Sequence, residues 1–137
     1  MTKMTCLKVQ VNAIGDCTML TVFFPVREHC GKAFMKREIE QAQFVAEALA
    51  FEQLRRASVL GLSLHEASDF RIPEVHKEHT AESSYSAFFD FYRYSARKNA
   101  RALRTRLLEE MILFVTMSRD LLAWAESTRS TEMTLSS

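Results

Sequence analysis

The chain has 137 residues, 47% apolar and 26% charged, with a formal net charge of +1. That length suits one domain with a real core, and a charge so near zero leaves no global field to steer a partner, so any electrostatic recognition must come from local clustering. Three Gly and two Pro in the whole chain argue against a many-turned all-β fold, which needs turn residues every ~8–12 positions.

The first element is an alternating stretch. Leu7, Val9, Val11 and Ala13 fall on one side of it and Cys6, Lys8, Gln10 and Asn12 on the other, the period of a half-buried strand. Gly15 and Asp16 give a turn signal. Thr18, Leu20, Val22 and Phe24 line one face of a second strand, and Pro25, which has no N–H to donate, stops it. The pattern predicts a β-hairpin over 6–24, too small to stand alone in water, which must pack on helices or on a second copy of itself. Cys6 and Cys17 could then face each other. An odd count of three cysteines without CxxC spacing points instead to reduced thiols.

A helix is predicted over 32–60. It has no Gly or Pro after Gly31 and is rich in Ala, Glu, Gln and Leu. One stripe runs through Met35, Ile39, Ala42, Ala46 and Leu49, and a second through Phe44, Ala48 and Phe51. So broad an apolar face suits a central helix touched from two sides. Gly61 is its stop signal. Ser63 and Glu66 fit a capping box, which predicts a short helix over 64–70 that Pro73 ends. Residues 71–82 read as a loop.

Residues 82–126 again lack Gly and Pro. Ala96, Ala100, Leu103, Leu107, Phe114, Met117, Leu121 and Trp124 recur at 3- and 4-residue steps, as in an a/d seam, with Glu110 the one interruption. One helix of that length would span ~67 Å, too long for a compact domain, so a break is expected near 97–99. The Ser/Thr-rich tail 127–137 is expected to fray.

The most distinctive window is 85–106. It holds Tyr85, Phe88, Phe89, Phe91, Tyr92 and Tyr94, then Arg93, Arg97, Lys98, Arg101, Arg104 and Arg106, which are six of the chain's eighteen Lys and Arg. On a helix, Arg93, Arg97, Arg101 and Arg104 would form one ridge within ~80°, and guanidinium forks can hold phosphate or carboxylate. The plain alternative is a solvated face paired with acids such as Glu38, Glu47 or Glu52. Tyr85, Phe88, Phe91, Tyr92 and Tyr94 are candidate protein-interface residues if the core leaves any of them uncovered.

His65, His76 and His79 lie near Glu66, Glu74 and Glu78, but without HExxH or a cysteine pair they read as solvated loop residues rather than metal ligands. His29 and Cys30 are adjacent and point apart, which does not suit a nucleophile and its base. No P-loop, GxGxxG, GxSxG or DxDxDG is present. An acid/base site would have to come from His65, Glu66, His76 and His79.

These readings lead to one domain of the α+β class, mostly helical, with an N-terminal β-hairpin packed on a three- or four-helix assembly. The expected function is that of a small, non-enzymatic, intracellular and cytoplasmic binding protein: a regulator, adaptor or inhibitor acting through protein contacts, including a homodimer. Nucleic-acid binding by the Arg-rich face 93–106 is the alternative. No catalytic residue, metal, cofactor, small-molecule ligand or membrane is expected. The most apolar run, Met111 to Met117, is seven residues against the ~20 needed to span a bilayer.

Overall fold

The computed structural model describes residues 3–14, 17–25, 32–64, 66–78, 84–90, 94–95 and 100–136. The fold is α+β: an N-terminal hairpin and three α-helices. Strand β1 (Lys8–Ile14) pairs antiparallel with β2 (Cys17–Pro25), as the alternation predicts. The hairpin is half of a larger sheet. Strand β5 (Ser84–Asp90) lies against β2, and β4 (Val75–Glu78) lies outside β5, giving the order β1-β2-β5-β4.

Register sets Val9, Val22, Ala87 and Val75 in one row across the four strands. Val22 and Ala87 are fully buried, and Val9 and Val75 pack against the same cluster. Leu20 and Phe24 extend that face along β2. As an inner strand, β2 also buries Thr21 and Phe23 on its other side, and the Lys8 ammonium lies 5.5 Å from the centre of the Phe23 ring. At the β1 edge, Leu7 and Val11 stay exposed.

Helix α1 (Lys32–Val59) follows the predicted span to within one residue. Ala42, Ala46 and Ala50 make one fully buried ridge at four-residue spacing, and Val45 and Leu49 make the next. The second ridge is shifted one residue round the helix from the Phe44, Ala48 and Phe51 stripe read from the sequence. Phe44 and Ala48 are only partly buried and Phe51 is exposed, its ring 5.3 Å from that of Phe70. The helix ends as predicted at Gly61. That glycine has φ +82°, the Leu62 N–H donates to the Ala57 carbonyl at 2.8 Å, and the Gly61 N–H donates to that of Ser58 at 3.0 Å. This is a Schellman closure, and its apolar clasp is the buried pair Ala57 and Leu62.

Gln43 of α1 fastens the outer strand. Its carboxamide nitrogen donates to the Pro73 carbonyl at 2.9 Å, and its oxygen accepts from the Val75 N–H at 3.0 Å. The loop predicted over 71–82 therefore contains β4.

The expected helix over 64–70 is also corrected. Ser63–Leu64 is a short strand, β3, paired with β6 (Tyr94–Ser95), and a 3-10 turn covers Ala67–Asp69. The Asp69 carboxylate accepts from the Glu66 N–H at 3.0 Å, so the cap sits three residues later than the Ser63 signal implies. An extended chain at Ser63 is favoured because Leu64 gains a strand partner in Tyr94.

The largest correction falls on 82–126. Residues 84–90 and 94–95 are strands, and helix begins at Ala100. Aromatic residues suit a pleated, half-buried surface, and pairing of 84–90 with β2 and of 94–95 with β3 overrides the lack of breakers. Helix α2 (Ala100–Met117) and helix α3 (Leu121–Ser136) follow. The expected break at 97–99 lies outside the described residues; the described break is at 118–120. The tail is helical to Ser136 rather than frayed.

Asp120 makes that break. Its Oδ1 accepts from the Ala123 N–H at 3.2 Å, as an N-cap does, and from the Met4 N–H at 3.2 Å. The Met4 carbonyl in turn accepts from the Leu121 N–H at 2.6 Å. The segment at Met4 thus satisfies the first turn of α3, with the Met4 side chain buried. Asp120→Ala should lower the unfolding free energy in urea by about 1–2 kcal/mol, while Asp120→Asn, still a good cap, should lose much less. Full stability in the alanine variant would contradict this role.

Candidate functional site

The residues singled out in 85–106 are divided among several elements. Tyr85 and Phe88 belong to β5, with Tyr85 in register with Phe24 and Phe88 with Thr21. Tyr94 belongs to β6, opposite Leu64. Phe91, Tyr92, Arg93, Arg97 and Lys98 lie outside the described residues. Arg101, Arg104 and Arg106 are on α2. The ridge expected to run from 93 to 104 on one helix is not formed, because β6 interrupts any helix between those positions.

The three arginines of α2 do not share a face. Arg101 and Arg104 are one turn apart near its start. Arg106 aligns with Glu110, Leu113 and Met117, four residues within an arc of about 60° at 100° per residue. The core side of α2 is Leu107, Met111 and Val115. The seam read from the sequence assigns Met117 to the core, yet Met117 is 72% exposed and Leu113 62% exposed.

That stripe borders a cleft of about 570 Å³ lined by Arg56, Glu110, Leu113, Phe114, Met117 and Ser118. Arg56 comes from the last turn of α1. Its guanidinium carbon stands 4.9 Å from the centre of the Phe114 ring, and the same ring meets Trp124 edge-on at 4.9 Å. The planar cation is therefore held in place by a ring that Trp124 of α3 supports in turn. The Arg56 Nε is buried and has no hydrogen-bond partner among the described residues. Ion pairs among the described residues include Arg55 with Glu52 at 3.5 Å and His76 with Glu74 at 4.0 Å; neither Arg56 nor Glu110 takes part in one. Close by on α1, Val59 is 88% exposed.

The other candidates are weaker. A cleft of about 210 Å³ between α1 and α3 is lined by Phe44, Glu47, Ala48, Phe51, Ala125, Thr128 and Arg129. There Arg129 covers the Phe44 ring at 5.1 Å, and Phe51 already meets Phe70. His65 and His79 lie outside the described residues, as do His29 and Cys30. His76 and Glu66 are exposed on separate elements. No group of three or more His, Cys, Asp or Glu among the described residues could hold a metal ion. Cys6 is partly buried; burial pushes its thiol above the ordinary range, against smaller opposing effects of the backbone at Lys8 and Phe23. Such a thiol stays protonated and is a poor nucleophile near neutrality. Among the described residues no helix is long and apolar enough to cross a membrane.

Nothing in the sequence singles out Arg56, which is one cation on a long helix. Leu113 is legible there only as part of an apolar run, and Met117 as part of that run and of the a/d seam. The signal that could have set them apart is their alignment with Arg106 and Glu110, since a core stripe does not continue from two successive charges on the same face.

No family model, no curated protein and no solved structure matches this chain.

One turn before Arg56, Gln53 is 1% exposed, and neither its carboxamide nitrogen nor its oxygen has a hydrogen-bond partner among the described residues. A buried amide left unpaired costs about 1–3 kcal/mol. Gln53→Met, which keeps the length and removes the polar atoms, should therefore raise the unfolding free energy by about 1–2 kcal/mol. A loss of stability of that size would show that the amide is bonded in solution.

Proposed function

We propose that this chain is a small, non-enzymatic binding protein of the regulator, adaptor or inhibitor kind, and that it docks a protein through the cleft between α1 and α2. The observation that carries this reading is the pairing of two strongly exposed apolar side chains, Leu113 and Met117, with a ring-stacked arginine that forms no ion pair among the described residues. Large apolar side chains exposed side by side mark interaction surfaces. Arginine fixed on a ring is a frequent anchor of protein interfaces, because little rotamer entropy remains to be lost on binding. A cytoplasmic setting fits this reading.

A second reading, nucleic-acid binding through Arg101, Arg104 and Arg106, has two observations in its favour. None of the three is ion-paired to a carboxylate among the described residues, so all three could meet phosphates. The aromatic positions Tyr85 and Phe88 lie on a strand, the kind of element on which base-stacking platforms are usually built.

One capture experiment separates the two. Tagged wild-type protein, Leu113→Asp and the pair Arg101→Ala with Arg104→Ala are compared in native lysate with and without nuclease, after circular dichroism has established that each is folded. Docking by the cleft predicts a protein retained after nuclease treatment and reduced at least about tenfold by Leu113→Asp alone, the size of one lost hot-spot side chain. Capture that disappears with nuclease, or falls only in the double-arginine variant, would favour the second reading. Equal retention by all three proteins would exclude both surfaces.

A further inference from the structure

We infer that the occupant of the α1–α2 cleft is a second copy of this chain, related to the first by a two-fold axis that sets Arg56 of each copy against Glu110 of the other. This rests on the docking reading above and names its partner.

Charge sign selects the partner. Arg56 and Glu110 line the same cleft, and neither forms an ion pair within the chain among the described residues. A uniformly acidic partner would suit Arg56 and be repelled by Glu110; a uniformly basic one would meet the opposite conflict. A face that carries one charge of each sign is matched by a face that also carries both. A two-fold axis supplies such a face automatically, because whatever residue i of one copy contacts, its symmetry mate contacts residue i in return. Each cation would meet an anion, and each anion a cation, in one step.

The apolar part of the surface obeys the same symmetry. Leu113 and Met117 lie on the Arg106 and Glu110 stripe of α2, with Val59 exposed near Arg56 on α1. Two copies of this patch would cover each other, leaving charged residues at the border, the usual anatomy of an interface. With a formal net charge of only +1 per chain, two copies approach without long-range repulsion.

Light scattering after size exclusion tests this on the whole chain, using wild type, Arg56→Glu, Glu110→Arg, an equimolar mixture of these two variants, and Leu113→Asp. Wild type should be a dimer at micromolar concentration. Each charge reversal should weaken association at least about a hundredfold, since the axis counts every substitution twice. The mixture should dimerise again. A chain with Arg56→Glu offers two carboxylates, a chain with Glu110→Arg offers two guanidinium groups, and together they satisfy both contacts. Pairing of Arg56 with Glu110 inside one chain could not produce that recovery. Leu113→Asp, at a site that is 62% exposed, should be folded by circular dichroism and monomeric even if Arg56→Glu fails to fold. A monomeric wild type at about 100 μM, well above the dissociation constants of ordinary interfaces, would overturn the inference and leave the docking reading to a different partner. A dimer that persists in Leu113→Asp or in the single reversals, or a mixture that stays monomeric, would overturn it as well.

Discussion

The fold depends on α1 being covered from two sides at once. Its alanine ridge, Ala42, Ala46 and Ala50, allows close approach, while Val45 and Leu49 fill the space beside it. The sheet meets it through Val22, Ala87 and Val75, and α2 and α3 meet it through Leu107, Met111, Val115, Leu121 and Ala125. Each large apolar side chain so buried stabilises the fold by roughly 1.5–3 kcal/mol. The two layers also touch each other, since α2 packs against β1 and β6 and the Met4 backbone bonds to the start of α3, so α1 joins one continuous core. The positions of β5 and of the α2–α3 break follow from this arrangement: the hairpin needs further strands to cover α1, and the helices must turn back to stay beside it.

Local interactions then hold particular pieces to that frame. Gln43 satisfies the start of β4 with both ends of its amide. Asp120 and the Met4 backbone share the first turn of α3, joining the segment before β1 to the last helix. Gly61 closes α1 with left-handed backbone. Against these stand polar groups that no protein atom satisfies among the described residues, Gln53 and the Arg56 Nε. They are close together near the C-terminal end of α1, where it borders the cleft. Natural interiors rarely leave such groups unpaired, and one of the two lines the proposed binding surface.

The hairpin, α1 and its Gly61 stop are legible in the sequence because each is written in local chemistry: alternation, helix formers without breakers, and a glycine where positive φ is required. The strand at 84–90 is not, because its state is decided by β2 and not by its own residues. A run without Gly or Pro is equally compatible with both conformations, and the ladder with Met19 to Pro25 settles it. The turn at 118–120 is hidden for a similar reason. Asp120 is an ordinary N-cap residue, but its second partner, the Met4 N–H, is 116 positions away. The site is the least legible part. Arg56 and Leu113 become neighbours only once α1 and α2 pack, and the expectation that Met117 belongs to the core fails because the helix turns its seam through Leu107, Met111 and Val115 instead.

Hydrogen exchange followed residue by residue tests the two-sided burial of α1 most directly. If the helix is the shared wall of both layers, the amides of Val45 to Ala50 open only when the whole domain unfolds, and their opening free energy equals the global value. The amides of β5 that pair with β2 should open in the same cooperative step. Exchange of Val45 to Ala50 through a cheaper, local opening, while either layer stays protected, would contradict the account.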